Sequence, residues 1–150
     1  MAKNEWSMAQ LTAKAEAYCA SAEHCISEIS NKLLQWNASK EQCEEIIAHL
    51  LHTDYINEQR YCHAFAHDKV AYQGWGKIKI RMHLNAKYLP HEAIDRALED
   101  IEYAEYQKTI ERVISSKKRT LKSTDTTARE KLLRFCMQRG FTYEEISEYL

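Results

Sequence analysis

Apolar residues in this chain recur at helical intervals, and one arrangement of them occurs three times. Glu44-Glu45-Ile46-Ile47-Ala48-His49-Leu50, Glu92-Ala93-Ile94-Asp95-Arg96-Ala97-Leu98 and Glu144-Glu145-Ile146-Ser147-Glu148-Tyr149-Leu150 all read E-x-I-x-x-x-L. Ile and Leu four apart share one helical face, and the Glu lies near the helix start, where the dipole favours it. Start signals precede each copy. Ser39 with Gln42 and Thr142 with Glu145 form capping boxes, and Pro90 suits a first helical turn. The copies lie 48 and 52 residues apart, a period of tandem helical units. Matched start signals at matched spacing weigh against coincidence.

The same periodicity predicts nine helices. The first three cover Leu11–Ser21, His24–Trp36 and Ser39–Leu51, with Leu11, Ala15 and Tyr18 inward in the first and Ile26, Ile29 and Leu33 in the second. Asn57 caps the fourth, whose stripe of Tyr61, Ala64 and Phe65 extends to Val70. Gly74-Trp75-Gly76 then breaks the chain. Ile78, Ile80, Met82 and Leu84 build the fifth helix, and the sixth runs from Pro90 through Ile101. The seventh covers Ala104–Lys118. The loop around Ser123-Thr124-Asp125-Thr126 supplies a cap for the eighth, which carries Leu132, Phe135 and Cys136 and stops at Gly140. Thr142 opens the ninth. The expected architecture is all-α: three tandem helix-turn-helix-like units, residues 9–51, 55–102 and 104–150, each with a small core of its own.

Composition sharpens this picture. Three Gly and one Pro leave few breaks, so regular helix is the economical state. Lys3, Glu5, Lys14 and Glu16 interrupt any apolar run near the N-terminus, and no stretch approaches a membrane span. The five cysteines are then expected to be reduced, buried thiols of a cytoplasmic protein. Net charge is −1, but it is unevenly divided. Residues 1–54 carry four basic and eight acidic side chains, whereas Lys108–Arg139 carry ten basic and three acidic. Such a gradient points to a polyanion or an acidic partner at the C-terminal end, with a solvated helix face as the plainer alternative.

Residues that could carry chemistry do not assemble into a site. His63 and His67 lie four apart beside Asp68, but two further metal ligands are lacking, and the Cys19–Cys25 spacing fits no common finger. Gly74-Trp75-Gly76 lacks the spacing and the following Lys-Ser/Thr of a phosphate loop. Cys43 and Cys136 have no His-Asp partners. Ile78, Met82 and the three tryptophans are expected in the core. No cofactor and no catalytic residue are predicted.

Tyr55-Ile56-Asn57-Glu58-Gln59-Arg60-Tyr61-Cys62-His63-Ala64-Phe65 resembles the Y-L-(D/N)-(D/E)-x-R-(F/Y)-A-x-x-F opening of the second unit of the RecX family. Gly74–Leu84, Lys87 and Ile94–Leu98 continue the pattern. Arg139-Gly140-Phe141 before the last E-x-I-x-x-x-L is similar to the end of the family's third unit. The first unit departs, with Trp36-Asn37-Ala38-Ser39 replacing a short basic-Gly turn, and Cys62 stands where Ala is usual.

The resemblance implies a non-enzymatic regulator of the RecA recombinase, elongated and curved. Such a regulator lies in the groove of the RecA–single-stranded DNA filament as a monomer, meets single-stranded DNA within the filament or weakly alone, and limits filament growth, ATP hydrolysis, strand exchange and coprotease activity. Three small units in a row suit contact with several filament subunits. Candidate contacts to RecA or DNA are the basic residues Lys77, Lys79, Arg81 and Lys87 of the second unit and Arg112, Lys117, Lys118, Arg119, Lys122, Arg129, Lys131, Arg134 and Arg139 of the third. The alternative is a helix-turn-helix regulator that reads DNA without RecA. Against it, the third helices carry Glu44, Glu45, Glu92, Asp95, Glu99, Glu144, Glu145 and Glu148, which repel phosphate.

Overall fold

The computed structural model describes residues 5–150, so Lys3 lies outside the described residues. Those residues form nine α-helices and no strand: α1 (Met8–Ser21), α2 (Ile26–Gln35), α3 (Lys40–His52), α4 (Glu58–Gln73), α5 (Lys77–Ala86), α6 (His91–Glu99), α7 (Tyr103–Lys118), α8 (Ala128–Gln138) and α9 (Tyr143–Ile146). A single 3-10 turn, Ser147–Tyr149, follows α9.

Local chemistry sets the helix ends. Ser39 and Thr142 make the expected capping boxes, and Ser7 makes a third with Gln10, starting α1 three residues earlier than periodicity alone predicts. Cys25 opens α2 with the Glu28 carboxylate bonded back to its N–H, so this helix starts later than His24. Pro90 is the residue before α6 rather than its first turn. The expected side-chain cap on α8 is absent: Asp125 instead accepts from the Thr127 N–H at 2.8 Å and its hydroxyl at 2.7 Å, fixing the turn ahead of the helix.

The three-helix rhythm is most regular at the turn inside each unit. Asn37, Tyr88 and Gly140 all have positive φ (63°, 63° and 96°) and are followed by the buried Ala38, Leu89 and Phe141. These turns are 51 and 52 residues apart, a tighter period than the E-x-I-x-x-x-L copies show. The first copy is displaced by one helical turn: Cys43 lies four residues after the cap Ser39, as Ile94 does after Pro90 and Ile146 after Thr142. Ile46 and Leu50 remain fully buried one turn later.

The expectation of three separate cores is corrected. Leu11, Ala15, Ile29, Leu33, Ile46, Leu50 and Ile56 form one core in the first unit. The second and third units share a continuous core that includes Cys62, Ile80, Leu84, Ile94, Ile110, Cys136, Phe141 and Ile146, and Cys25 from α2 plugs into it. The reason is a backbone crossing. The Gly76 N–H donates to the Arg139 carbonyl at 2.7 Å and the Ile78 N–H to the Gly140 carbonyl at 3.2 Å. A methyl group on Gly76 would overlap the Gly140 carbonyl, so the two chains meet only because neither has a side chain there. Ile78 and Met82 are also corrected: at 48% and 65% exposed they lie outside the core, which α5 enters through Ile80 and Leu84. Trp6 is exposed, and Trp36 and Trp75 are half-buried.

The accessible surface is 9643 Å². A compact globule of this mass would expose roughly 7,900 Å², so the molecule is extended, as expected of units in a row. No described helix is long and apolar enough to cross a membrane.

Tyr88 gives a test of the turn. Its side chain is 84% exposed and its backbone is left-handed, a conformation costing about 1–2 kcal/mol outside glycine. Tyr88→Gly should therefore stabilise the fold by about 0.5–1 kcal/mol after the loss of chain stiffness is counted. Gly76→Ala should destabilise it by roughly 1–3 kcal/mol or more, because the crossing cannot close over a methyl group. Urea unfolding measures both, and a destabilised Tyr88→Gly would show that the ring contributes packing that its exposure conceals.

Candidate partner-binding surface

The candidate basic residues separate into three groups according to what already holds them. Arg81 is paired with Asp95 at 2.6 Å, Lys87 with Glu28 at 3.1 Å, and Lys131 with Asp125 at 2.6 Å. Lys87 belongs to the joint between the first and second units, where the Ser27 hydroxyl also donates to its carbonyl at 2.9 Å. Nearby, the Ile26 N–H donates to Glu58 at 3.2 Å, and Arg60 bridges Glu23 at 2.6 Å and Asp54 at 3.0 Å. Arg60 of the family-like motif thus ties α4 to the first unit. Ion pairs and hydrogen bonds thus dominate this joint, with Cys25 as its buried apolar plug.

A second group is turned onto rings and backbone carbonyls. Lys77 lies 4.9 Å from the centroid of Tyr106, Lys79 4.4 Å from Trp75, and Lys117 4.9 Å from Phe135. Arg139 also lies 5.0 Å from the Phe135 centroid, while its Nη1 donates to the Gln73 carbonyl at 2.7 Å. Arg112 donates to the Val70 carbonyl at 3.3 Å. The two arginines therefore neutralise the carbonyl end of α4, which accounts for part of their placement. Lys118 donates to the Tyr149 carbonyl at 3.0 Å, and Arg119 lies 3.5 Å from the Ser115 carbonyl.

The third group is unengaged. Lys122, Arg129 and Arg134 make no ion pair or side-chain hydrogen bond among the described residues. They lie on the segment from the end of α7 through α8. The sequence reading missed Lys69, which joins Lys79 on Trp75 from 4.7 Å. Only the three-dimensional meeting of α4 with the Gly74-Trp75-Gly76 break could have revealed it.

Nothing in the arrangement resembles a reaction centre. A cleft of about 550 Å³ between α4, α6 and α7 mixes His63, His67 and Lys108 with Asp100, Glu102 and Glu105. Its one close pair, the His63 imidazole with Asp100 at 2.7 Å, raises the histidine pKa through that hydrogen bond. The described residues contain no cluster of three potential metal ligands. All five cysteines are free and buried, and burial pushes their thiols up, Cys62 to about 12, which makes them poor nucleophiles.

Comparison with known proteins fits this geometry. The family description "RecX, second three-helix domain" matches residues 57–98, and "RecX, third three-helix domain" matches residues 104–150. The chain is similar to Regulatory protein RecX of Herbaspirillum seropedicae, 26% identical over 92% of this chain and 87% of that one. Regulatory protein RecX of Pseudomonas fluorescens strain SBW25 is 31% identical over 85% of this chain and 81% of its own. Among solved structures, RecX from Lactobacillus salivarius superposes with a TM-score of 0.81 at 18% identity, covering 94% of this chain and 92% of that one.

The joint between the first two units makes a prediction about acid. Burial alone would raise the Glu28 pKa, but the hydrogen bond from Lys87 and that from the Cys25 N–H outweigh it and hold the carboxylate below its usual range. A depressed carboxylate contributes stability that is present above its unfolded pKa, about 4.3, and is lost as pH falls through the folded value. The stability gap between the parent and Lys87→Ala should thus be open at pH 7 and narrow below about pH 4. Urea titrations at pH 7, 5 and 3 that give a constant gap would mean that Lys87 does not hold Glu28 in solution.

Proposed function

The chain belongs to the RecX family, a family of regulatory proteins rather than enzymes, and on that premise we propose that it binds the RecA–single-stranded DNA filament and inhibits it. Inhibition extends to filament growth, ATP hydrolysis, strand exchange and coprotease activity, and the active form is a monomer. The observation that carries this reading is the concentration of unpaired positive charge in the last two units of an extended helical ribbon. Polyanion binding gains from releasing counterions at such a surface. The extended shape supports it, since a ribbon reaches successive subunits of a filament where a globule reaches one or two. The alternative, a base-reading helix-turn-helix protein, finds no support in the third helices. Glu44, Glu45, Glu92, Asp95 and Glu144 are all exposed there, where a recognition helix would present Arg, Asn or Gln.

A coupled assay tests the proposal directly. Added protein should suppress the single-stranded-DNA-dependent ATPase of RecA while hydrolysing no ATP itself, and full RecA turnover at saturating protein would remove the function.

The Lys117–Arg119 cluster tests where the activity resides. These side chains end α7, where positive charge contributes only about 0.3–1 kcal/mol. Lys117→Ala/Lys118→Ala/Arg119→Ala should melt within a few degrees of the parent, yet bind filaments less tightly and with a flatter salt dependence. Lys14→Ala in the acidic first unit serves as the control. Equal binding by the triple variant across a salt series would move the contact surface to Lys77, Lys79, Arg81 and Lys87.

A further inference from the structure

Two rings at the junction of the second and third units are each flanked by a pair of cations. Lys69 and Lys79 lie 4.7 and 4.4 Å from the centroid of Trp75, beside the His83 ring at 4.5 Å, and Lys117 and Arg139 lie 4.9 and 5.0 Å from that of Phe135. The Gly76–Gly140 crossing brings the two groups together. Arg139 reaches over to the Gln73 carbonyl, its own carbonyl accepts from Gly76, and Gly140 lies directly against the backbone of Lys79. None of these four cations has a carboxylate within ion-pairing distance among the described residues, nor do the neighbouring Lys77 and Arg112. Among the described lysines and arginines only Arg60, Arg81, Lys87 and Lys131 are ion-paired, so what sets the junction apart is that six unpaired cations gather at one place around two rings.

We propose that this junction is a single-strand platform on which unpaired bases stack against Trp75 and Phe135 while Lys69, Lys79 and Lys117 hold the adjoining phosphates. It rests on the reading that the chain acts on a DNA-bound filament, but the contact itself needs no RecA. Packing explains part of the arrangement, because lysine stems cover half-buried rings. It does not explain why six cations gather at this one junction in a chain whose net charge is −1. An ammonium over an accessible ring is held weakly, whereas a stacked base gains more. An arriving base therefore displaces the lysine head, which moves to the phosphate beside it. A duplex offers no free base face, and the acidic third helices oppose its groove. An acidic protein surface would use the charges and leave the rings idle.

The test uses the full chain without RecA. Oligo(dT) of 12 nucleotides and an abasic 12-mer of equal charge are titrated against the parent and Lys69→Gln/Lys79→Gln. A Trp6→Phe/Trp36→Phe background isolates Trp75 fluorescence. Oligo(dT) should quench Trp75 and bind at least tenfold more tightly than the abasic strand, which should leave the fluorescence unchanged. The double glutamine variant keeps the aliphatic stems, so its melting temperature should stay within a few degrees. Its affinity for oligo(dT) should fall about tenfold, and the log–log salt slope should flatten by about 1.4 for two lost phosphate contacts on a single strand. Equal affinity for the abasic strand with no quenching would overturn the stacking platform. So would an unchanged salt slope in the variant, or a variant that loses binding only to DNA-free RecA. Failure of the parent to inhibit RecA, with oligo(dT) binding intact, would instead reject the regulatory function and leave the platform standing.

Discussion

The fold of the last two units depends on two glycine backbones lying in contact. Gly76 donates to the Arg139 carbonyl, and Ile78 in the first turn of α5 donates to the Gly140 carbonyl. Neither position has room for a methyl group. Because this crossing occurs, Phe141 and Ile146 of the third unit and Ile80 and Leu84 of the second enter one core instead of two. A shared core buries more apolar surface per residue than two three-helix units could bury separately, which is how helices of only 4–16 residues hold together here. The same crossing places Trp75 and its lysines beside Arg139 and Phe135. One steric requirement therefore sets both the stability and the layout of the charged face.

The first unit is attached on different terms. It keeps its own core, and its joint to α4 and α5 consists of ion pairs and hydrogen bonds around Glu23, Glu28 and Glu58, with Cys25 as the apolar plug. A polar joint responds to acid and salt in a way that the shared apolar core does not. The second and third units thus behave as one mechanical body, and the first as an arm latched to it.

What the sequence made legible follows from how local each signal is. Helix identity and most caps depend on residues within four positions of each other, and those were readable, including the Ser39 and Thr142 boxes and the Gly74 and Gly140 stops. The E-x-I-x-x-x-L signature located three third helices but misplaced the first by a turn, since Glu44-Glu45-Ile46 satisfies the pattern one turn beyond the residue, Cys43, that holds the equivalent position. The left-handed turns mark the repeat better, yet Tyr88 disguises one of them because tyrosine gives no hint of positive φ. The apolar residues of α5 fall at every second position, so sequence alone does not separate Ile78 and Met82 from Ile80 and Leu84 until Gly140 fixes which side of the helix is covered. Among the candidate contacts, charge was readable but engagement was not. Arg81 and Lys131 look no different in sequence from Lys79 and Arg134, and only the pairing partners 14 and 6 residues away distinguish them.

The near-zero net charge conceals a separation with a mechanical consequence. The first unit carries the acidic excess and the last unit the basic one. A polyanion attracts one end of such a molecule and repels the other, so the charge distribution orients the ribbon before any specific contact forms. An even spread of the same residues would leave the molecule as soluble but would give it no preferred direction of approach. The fold keeps the two signs apart, because the Gly76–Gly140 crossing gathers the basic helices and the polar joint holds the acidic unit outside them.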